Sequence, residues 1–277
     1  MPINKSNAVA GSMQVNQDSD GKATRVRLFD FSTAPMRAFH LSWFAFFVCF
    51  VAWFGIAPLM AVVSEDLKLT KAQIGNSVIA SVAITVLARF LTGWLCDRFG
   101  PRRTYSALLF FGSLPVMCIG LAHSYQSFLF FRLAIGLVGA SFVITQYHTS
   151  VMFAPRIVGT ANATSAGWGN LGGGVALWFM PLLAGAIVGL GADRFLSWRL
   201  AMIVPGIGML ITGVLYYFLT QDTPNATPFA PRKGAQAFWE AAGDYRVWVL
   251  FLLYGACLEW RSPSTTWRRC ISRIPST

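Results

Sequence analysis

One arginine in this chain stands inside an uncharged stretch long enough to cross a membrane. Arg89 is the only residue within 74–96 that carries a charge at neutral pH. An arginine near the middle of a bilayer costs roughly 2.5 to 3.5 kcal/mol on insertion scales, so its side chain normally faces a cavity, a partner or the interface. A guanidinium presents a planar fork of donors that can bind two oxygens of an anion at once. Its setting therefore marks Arg89 as a candidate functional residue within a membrane-spanning segment.

Polar residues precede this arginine at helical spacing. Ser77, Ser81 and Thr85 stand at four-residue intervals before Arg89, and aliphatic residues fill most positions between them. Arg89 lies two turns from the end of the stretch, so snorkelling of its side chain to the interface is one interpretation. A cavity is the other, and the stripe favours it, because snorkelling needs no polar residues farther from the interface.

A second unusual stretch, residues 166–174, reads A-G-W-G-N-L-G-G-G and lies inside another uncharged run. Five of its nine residues are glycine, and each costs roughly 1 kcal/mol in a helix relative to alanine. Bare backbone lets a neighbouring helix or a small ligand approach closely. Close packing alone and packing combined with binding both remain open. Asn170 supplies the single polar side chain and Trp168 the single aromatic ring.

The same glycines also match G-x-G-x-x-G, at Gly167, Gly169 and Gly172, a spacing that dinucleotide-binding folds place after a β-strand. Residues 160–165 read T-A-N-A-T-S, which is not a strand sequence, and the residues that follow are apolar for a membrane-spanning length. We therefore reject the dinucleotide interpretation.

The composition is that of an integral membrane protein. Hydrophobic residues make up 55% of the 277 residues, charged residues make up 12%, and the mean hydropathy is +0.54. The net charge of +11 could suggest nucleic acid, but the long uncharged runs place these cations in loops beside a bilayer. The apolar runs hold no metal-ligand cluster, nucleophile–base pair or paired carboxylates, so we expect neither an enzyme nor a cofactor or metal.

Six apolar runs predict six transmembrane helices, since about 20 apolar residues cross the hydrocarbon core. The runs cover residues 38–64, 74–96, 105–122, 128–152, part of 157–192, and 200–219. Lys and Arg number 12 in the N-terminal tail and the loops on its side, and four in the loops on the opposite side. The positive-inside rule therefore puts both ends of the six-helix unit in the cytoplasm.

The segment between the second and third runs, residues 93–103, reads G-W-L-C-D-R-F-G-P-R-R. It resembles the loop signature of the major facilitator superfamily, with Pro101 in place of a basic residue. The resemblance implies an all-α membrane fold whose N-terminal half is a six-helix bundle, and a charge latch that opens and closes with alternating access. A carboxylate among guanidiniums at a helix end suits a pairing that a small rotation can break. The implied gating residues are Gly93, Asp97, Arg98, Gly100, Arg102 and Arg103.

The fourth run carries R-x-x-x-G at Arg132 and Gly136, which resembles a second signature of the superfamily. Arg132 lies about one turn inside the interface, so its position favours a structural role in packing over substrate contact. His148, near the other end of this run, is expected at the interface rather than in a proton relay.

The glycine-rich stretch resembles the nitrate signature of the nitrate/nitrite porter branch of this superfamily. M-R-A-F-H-L-S-W-F around the start of the first run and V-G-T-A-N-A before the glycines are similar to the same branch, and the likeness covers about residues 35–257. The resemblance implies substrate contacts by Arg89, Asn170, Gly167, Gly169 and Tyr254. The other glycines are expected to be structural: Gly172, Gly173 and Gly174. Nitrate is planar and monovalent, which suits a forked guanidinium, and Trp168 and Phe142 could wall a small dry cavity around it.

The resemblance divides the chain into five segments. Residues 1–37 are a predicted cytoplasmic tail, 38–220 the six-helix half, 221–245 a central cytoplasmic loop and 246–257 the start of a seventh helix. Residues 258–277 hold four arginines, two prolines and no membrane periodicity, and they do not fit a family whose members continue to twelve helices. We therefore expect a truncated or frame-shifted product.

These features predict secondary active transport of nitrate or nitrite across the cytoplasmic membrane by alternating access. A six-helix fragment without transport activity of its own is the first alternative, and a transporter of another small anion is the second. The expected partners are the anion, the lipid bilayer, and a second half or dimer partner that completes the cavity. No nucleic acid partner is expected.

Overall fold

The computed structural model describes residues 18–225, 239–240, 242–250 and 252–253. Six helices in this part are long and apolar enough to cross a membrane. They are α1 Ala34–Asp66, α2 Lys71–Phe99, α3 Pro101–Leu121, α4 Tyr125–Met152, α5 Val158–Gly189 and α6 Arg194–Leu219. The prediction of an all-α membrane protein with a six-helix unit is confirmed.

Three of these helices are interrupted, and a fourth ends in a 3-10 turn. Pro58 lies in a 3-10 turn, Ala57–Leu59, between two α-helical parts of α1, and proline cannot donate a backbone hydrogen bond there. Helix α4 narrows to 3-10 geometry in the middle, α3 ends in it, and α6 is divided at Met202. The α-helical parts are Ala34–Phe54 and Met60–Asp66 in α1, Pro101–Cys118 in α3, Tyr125–Gly136 and Ser141–Met152 in α4, and Arg194–Ala201 and Ile203–Leu219 in α6.

Polar residues outside the apolar runs set several helix ends. Thr70 caps α2 by accepting the backbone N–H of Gln73, whose side chain accepts the N–H of Thr70 at 2.9 Å. This capping box starts α2 at Lys71, three residues earlier than the apolar run predicts. Gly100, with φ +86°, ends α2, and Pro101 begins α3 directly after it.

Helix α1 occupies the centre of the bundle. It packs against α4, α5 and α6, while α3 pairs with α6 and α2 pairs with α4. Helices α5 and α2 are the least covered. In the apolar 18-residue segment of each helix, 17% of the residues of α5 and 22% of those of α2 are buried, compared with 39–56% in the other four helices. The helices that carry Asn170 and Arg89 thus present the most open faces of this half.

A buried ion pair joins three helix ends on the side opposite the 93–103 loop. Nη2 of Arg199 in α6 lies 2.7 Å from Oδ2 of Asp66 in α1, and both side chains are about 15% exposed. Trp198 Nε1 donates to the same oxygen at 2.9 Å, and Arg199 also donates to the carbonyl of Gly120 in α3. These contacts fix α1, α3 and α6 at this end of the bundle.

Residues after 231 form a separate compact unit. Within its described part, 245–250 and 252–253 are helical, and Trp248 Nε1 donates to the carbonyl of Ala242 at 2.8 Å. The remainder of the predicted seventh helix and the whole of 258–277 lie outside the described residues. The five-segment division of the chain stays a prediction.

Candidate functional site

The polar stripe before Arg89 does not share a face of α2 with it. The buried positions of α2 are Ser77, Ser81, Thr85, Ala88, Thr92 and Cys96. A step of three residues after Thr85 keeps this face in register with the 3.6-residue period and leaves Arg89 outside it. Trp53 Nε1 donates to Ser81 Oγ at 2.9 Å, and Thr85 Oγ1 donates to the carbonyl of Gly136 at 2.7 Å. The stripe packs α2 against α1 and α4, so its interpretation as a cavity wall is wrong.

Arg89 itself lies beside this packed face and outside it. Its side chain is exposed and makes no hydrogen bond or ion pair with any residue that the structure describes. Helix α2 continues for ten residues to Phe99, which places Arg89 about 15 Å from the helix end. The charged residues Asp97 and Arg98 in the last turn lie nearer, so Arg89 stands about 12 Å, or about two turns, from the charged end of the helix. The helix therefore carries an exposed guanidinium within a segment that is apolar enough to cross a membrane.

The glycine-rich stretch packs tightly against α1 on one side. A Cβ atom on Gly172 would collide with the backbone of Phe47, and one on Gly169 would collide with the ring of Phe46. A Cβ on Gly173 would stand 3.2 Å from the nearest ring carbon of α1. Gly172 and Gly173 thus occupy packing positions, and Gly169, predicted to contact substrate, also lies in this helix contact.

The same stretch exposes bare backbone on another face. Gly167, Asn170 and Gly174 stand three and four residues apart, which puts them on one side of α5. A Cβ on either glycine would meet nothing within 4 Å, so Gly174, predicted to be structural, has no packing neighbour there. Asn170 donates one amide hydrogen to the carbonyl of Ala166 at 2.8 Å, which leaves a second hydrogen facing outward. The stretch therefore combines close packing with an open polar surface.

Aromatic rings flank both faces of this stretch. The half-exposed ring of Trp168 lies 5.6 Å from that of Trp43. The half-buried ring of Phe142 lies 5.6 Å from that of Phe46, which contacts Gly169. Trp168 and Phe142, the two predicted wall residues, thus belong to separate aromatic pairs.

The arginine-rich loop is fixed to the end of α6. Arg102 donates from Nε to the carbonyl of Tyr217 at 2.6 Å, and its guanidinium carbon lies 4.6 Å above the Tyr217 ring. The backbone N–H of Arg102 donates to Oδ1 of Asp222 at 2.9 Å. Asp222 thus caps the N-terminus of α3 from a position 120 residues away.

Asp222 is a residue that sequence reasoning missed. Burial raises the pKa of its carboxyl group, against the hydrogen bond from Arg102 and the charges of Arg102 and Arg103. The carboxylate of Asp222 packs against Gly100, where a Cβ atom would collide with it. An acid directly after the last apolar run, at the same membrane face as the arginine-rich loop, was the available signal.

The other predicted gating residues form no ion pair with the residues that the structure describes. Asp97 is half-buried, and its carboxylate has no hydrogen bond or ion pair within the described ranges. The guanidinium of Arg98 stacks on the rings of Trp94 and Phe99, 5.3 and 5.6 Å from their centroids. A Cβ on Gly93 would meet open space. The gating role of the loop stays a prediction.

Arg132 and Gly136 lie where α4 meets α1 and α2. Arg132 is 6% exposed, and Nη1 donates to the carbonyl of Trp53 at 3.4 Å, while Nε has no hydrogen-bond partner in the described part of the chain. A Cβ on Gly136 would collide with the backbone of Ser81. Both residues thus lie in a contact between helices, and their predicted packing role stays a prediction.

His148 is fully buried between helices, and its position at the membrane interface stays a prediction. Its Nε2 lies 2.8 Å from the carbonyl of Gln221, and its Nδ1 makes a short hydrogen bond with the hydroxyl of Tyr216. A carbonyl can only accept, so Nε2 donates and Nδ1 accepts from Tyr216. The Tyr216 oxygen is also 2.9 Å from Ser42 Oγ. This network joins α1, α4 and α6 at the end of the bundle that carries the arginine-rich loop.

Comparison with known proteins supports the resemblance read from the sequence. High affinity nitrate transporter 2.5 of Arabidopsis thaliana is 40% identical over 248 residues, which are 87% of this chain and 49% of the relative. Nitrate transporter 2.1 of Chlamydomonas reinhardtii is 38% identical over 86% of this chain and 45% of its own length. Nitrate/nitrite transporter NrtP of Nostoc punctiforme is 38% identical over 77% of this chain and 44% of its own length. The chain spans about half the length of these curated relatives.

Solved structures agree on the fold. The inward-facing, unoccupied crystal structure of a bacterial homolog to the human lysosomal transporter Spinster superposes with a TM-score of 0.62 at 18% identity, over 76% of this chain and 48% of that one. Tyr254, the remaining predicted contact, lies outside the described residues. The family model of the Major Facilitator Superfamily matches residues 42–265. The family match, the six membrane-capable helices and the similarity to nitrate transporters agree. This multi-pass membrane protein belongs to the Major Facilitator Superfamily.

Proposed function

We propose that this chain forms a six-helix half of a secondary active transporter for nitrate or nitrite, with its N-terminus in the cytoplasm. The open face of α5 carries this proposal. It presents bare backbone at Gly167 and Gly174 and an amide hydrogen of Asn170, in a chain similar to curated nitrate transporters. A transporter rather than an enzyme is what the family and the fold indicate.

The exposed guanidinium of Arg89 supplies the charge for an anion. One arginine and one monovalent anion are neutral together, which removes most of the penalty of an isolated charge at this depth. The guanidinium fork can donate two parallel hydrogen bonds to a planar oxyanion, whereas a lysine offers a point charge. Asn170 adds a neutral donor, and the bare glycine backbone lets a small anion approach closely.

A second group of helices is part of this proposal. The curated relatives are about twice as long as the matched region, and α2 and α5 are the least covered helices of this half. Helices from a second half or from a second copy would cover these faces and close the cavity around Arg89 and Asn170. Rocking of the two groups of helices against each other would then alternate access to the site.

The test measures uptake of nitrate and nitrite by cells that have no transporter for either anion. The chain is produced alone, and also together with the second half of the Arabidopsis relative. Uptake by the pair but not by the chain alone would support completion by a second half. Uptake by the chain alone would favour a second copy, and absence of uptake in both arms would contradict the proposed transport.

Two matched pairs of variants locate the site. Arg89→Lys should abolish uptake because it removes the fork, while Arg156→Lys, at an exposed arginine outside the spans, should have no effect. Gly167→Leu should block uptake by filling the open face, while Gly185→Leu, equally open and on the same helix, should not. Uptake that survives Arg89→Lys would refute the assignment of the anion site.

A further inference from the structure

An apolar groove runs along the outside of the bundle, between α2, α3 and α4. Its volume is 740 Å³, and nearly all of its lining is aliphatic or aromatic. Phe99 and Arg103 lie at one end of the groove, and Cys118 and Phe130 line it toward the other. Fifteen residues of α3 separate Arg103 from Cys118, which corresponds to about 22 Å along the helix. An occupant must therefore be long, narrow and apolar.

The walls of this groove face the surroundings of the helix bundle. The side chains of Phe111, Leu114 and Phe130 line it and are 45–66% exposed. All three belong to helices that are long and apolar enough to cross a membrane, so the groove opens toward the hydrocarbon region. Acyl chains of membrane lipids are the apolar molecules present at that depth.

One end of the groove carries positive charge. Arg103 is the only charged residue in the lining, and its exposed side chain makes no ion pair with any described residue. Arg98 stands beside this end, because its guanidinium stacks on Phe99, which also lines the groove. Two acidic residues belong to the same region of the bundle. Asp222 accepts a hydrogen bond from the backbone N–H of Arg102, and Asp97 is half-buried.

We propose that the groove is a binding site for an anionic phospholipid. One acyl chain lies between α2, α3 and α4, and the phosphate of the headgroup contacts Arg103, with Arg98 adding to the field. Basic pockets between transmembrane helices on the cytoplasmic side are typical sites for acidic headgroups. The excess of Lys and Arg predicts that this end faces the cytoplasmic leaflet. This inference does not depend on which solute the protein carries.

The test uses the purified full chain in a mild detergent. Phosphatidylglycerol and phosphatidylcholine with identical acyl chains are added separately, and retained lipid is counted by native mass spectrometry. The charge at Arg103 should give phosphatidylglycerol about fivefold preference. Arg103→Gln should remove this preference and leave phosphatidylcholine binding unchanged, and Arg156→Gln, at an exposed arginine outside the groove, should preserve it.

Two further measurements locate the lipid in the groove itself. Ala107→Phe fills the groove from an exposed position of α3 and should reduce binding of both lipids. Phosphatidylglycerol should also slow alkylation of Cys118, which lines the groove, more than phosphatidylcholine does in the wild type, and equally with phosphatidylcholine in Arg103→Gln. This second measurement requires no bulky substitution, so it remains decisive if Ala107→Phe does not fold.

Three outcomes would overturn the proposal. The first is an undiminished preference for phosphatidylglycerol in Arg103→Gln. The second is unchanged lipid binding in a folded Ala107→Phe protein. The third is displacement of the lipid, with protection of Cys118, when a second half is produced with the chain, which would assign the groove to a helix.

Discussion

Gly172→Ala tests whether the glycine-rich stretch is required for packing. The added Cβ would lie 2.9 Å from the carbonyl carbon of Phe47 and 3.1 Å from its Cα, and closer still to its carbonyl oxygen. Carbon atoms in contact prefer about 3.5 to 4.0 Å, so α1 and α5 would have to separate locally by roughly 1 Å. The obstacle is backbone, which a change of rotamer cannot remove.

The expected penalty follows from this separation. Overpacking a well-packed contact costs about 1 to 3 kcal/mol. Gly174→Ala is the matched control, because its Cβ meets nothing within 4 Å, and it gains the same helix propensity. The two variants should therefore differ by about 1 to 3 kcal/mol, which for a unit of this size is roughly 2 to 12 °C in melting temperature.

The assay is thermal unfolding in detergent, followed by tryptophan fluorescence at one scan rate, since membrane proteins often unfold irreversibly. Gly172→Ala should melt below the wild type, and Gly174→Ala should melt at or above it. Equal melting temperatures for the two variants would refute the assignment of Gly172 to the α1–α5 contact.

Three further changes test other contacts by the same melting assay. Arg199→Gln leaves the Asp66 carboxylate buried without its ion pair and should cost about 3 to 5 kcal/mol, most of which Asp66→Asn should restore in the double variant; additive losses would contradict the pairing. Tyr216→Phe removes the hydroxyl bound to His148 and should cost about 1 to 3 kcal/mol, whereas an unchanged melting temperature would refute the network. Burial raises the pKa of the Asp222 carboxyl above its ordinary value, so the folded protein favours the protonated form and its melting temperature should fall as pH rises through the shifted pKa. Asp222→Asn should make this fall smaller, and identical plots of melting temperature against pH for the two proteins would contradict the prediction.

The six helices could be predicted because each needs a long apolar run, and length and composition record that requirement directly. The ends of the helices are harder to predict from the sequence. Thr70 and Gln73 begin α2 with a polar capping box, and α1 continues to Asp66, two residues past the apolar run. These residues lie outside the apolar windows, so hydropathy alone places the ends a few residues too far inward.

The sequence can predict the faces of α2, but only with the 3.6-residue period of a helix and not with the four-residue spacing of the polar stripe. Four-residue spacing drifts by about 40° at each step, so Arg89 lies about 120° around the helix from Ser77. A 3.6-residue period would have separated the packed hydroxyls from the arginine. The position of Asp222 after the last apolar run marks it as a candidate, but no local pattern identifies Arg102 as its partner, because the two residues are 120 positions apart.

The glycine-rich stretch shows why a motif can indicate two roles without assigning them to residues. Its spacing predicts two faces of one helix, but the position of α1 decides which face is packed. Gly169 and Gly172 lie against α1, whereas Gly167 and Gly174 remain open. Bulk on the packed face must therefore lower stability before it affects any bound anion, and bulk on the open face can block binding in a fully stable protein. The order of these two effects, measured residue by residue, distinguishes a packing motif from one that also binds.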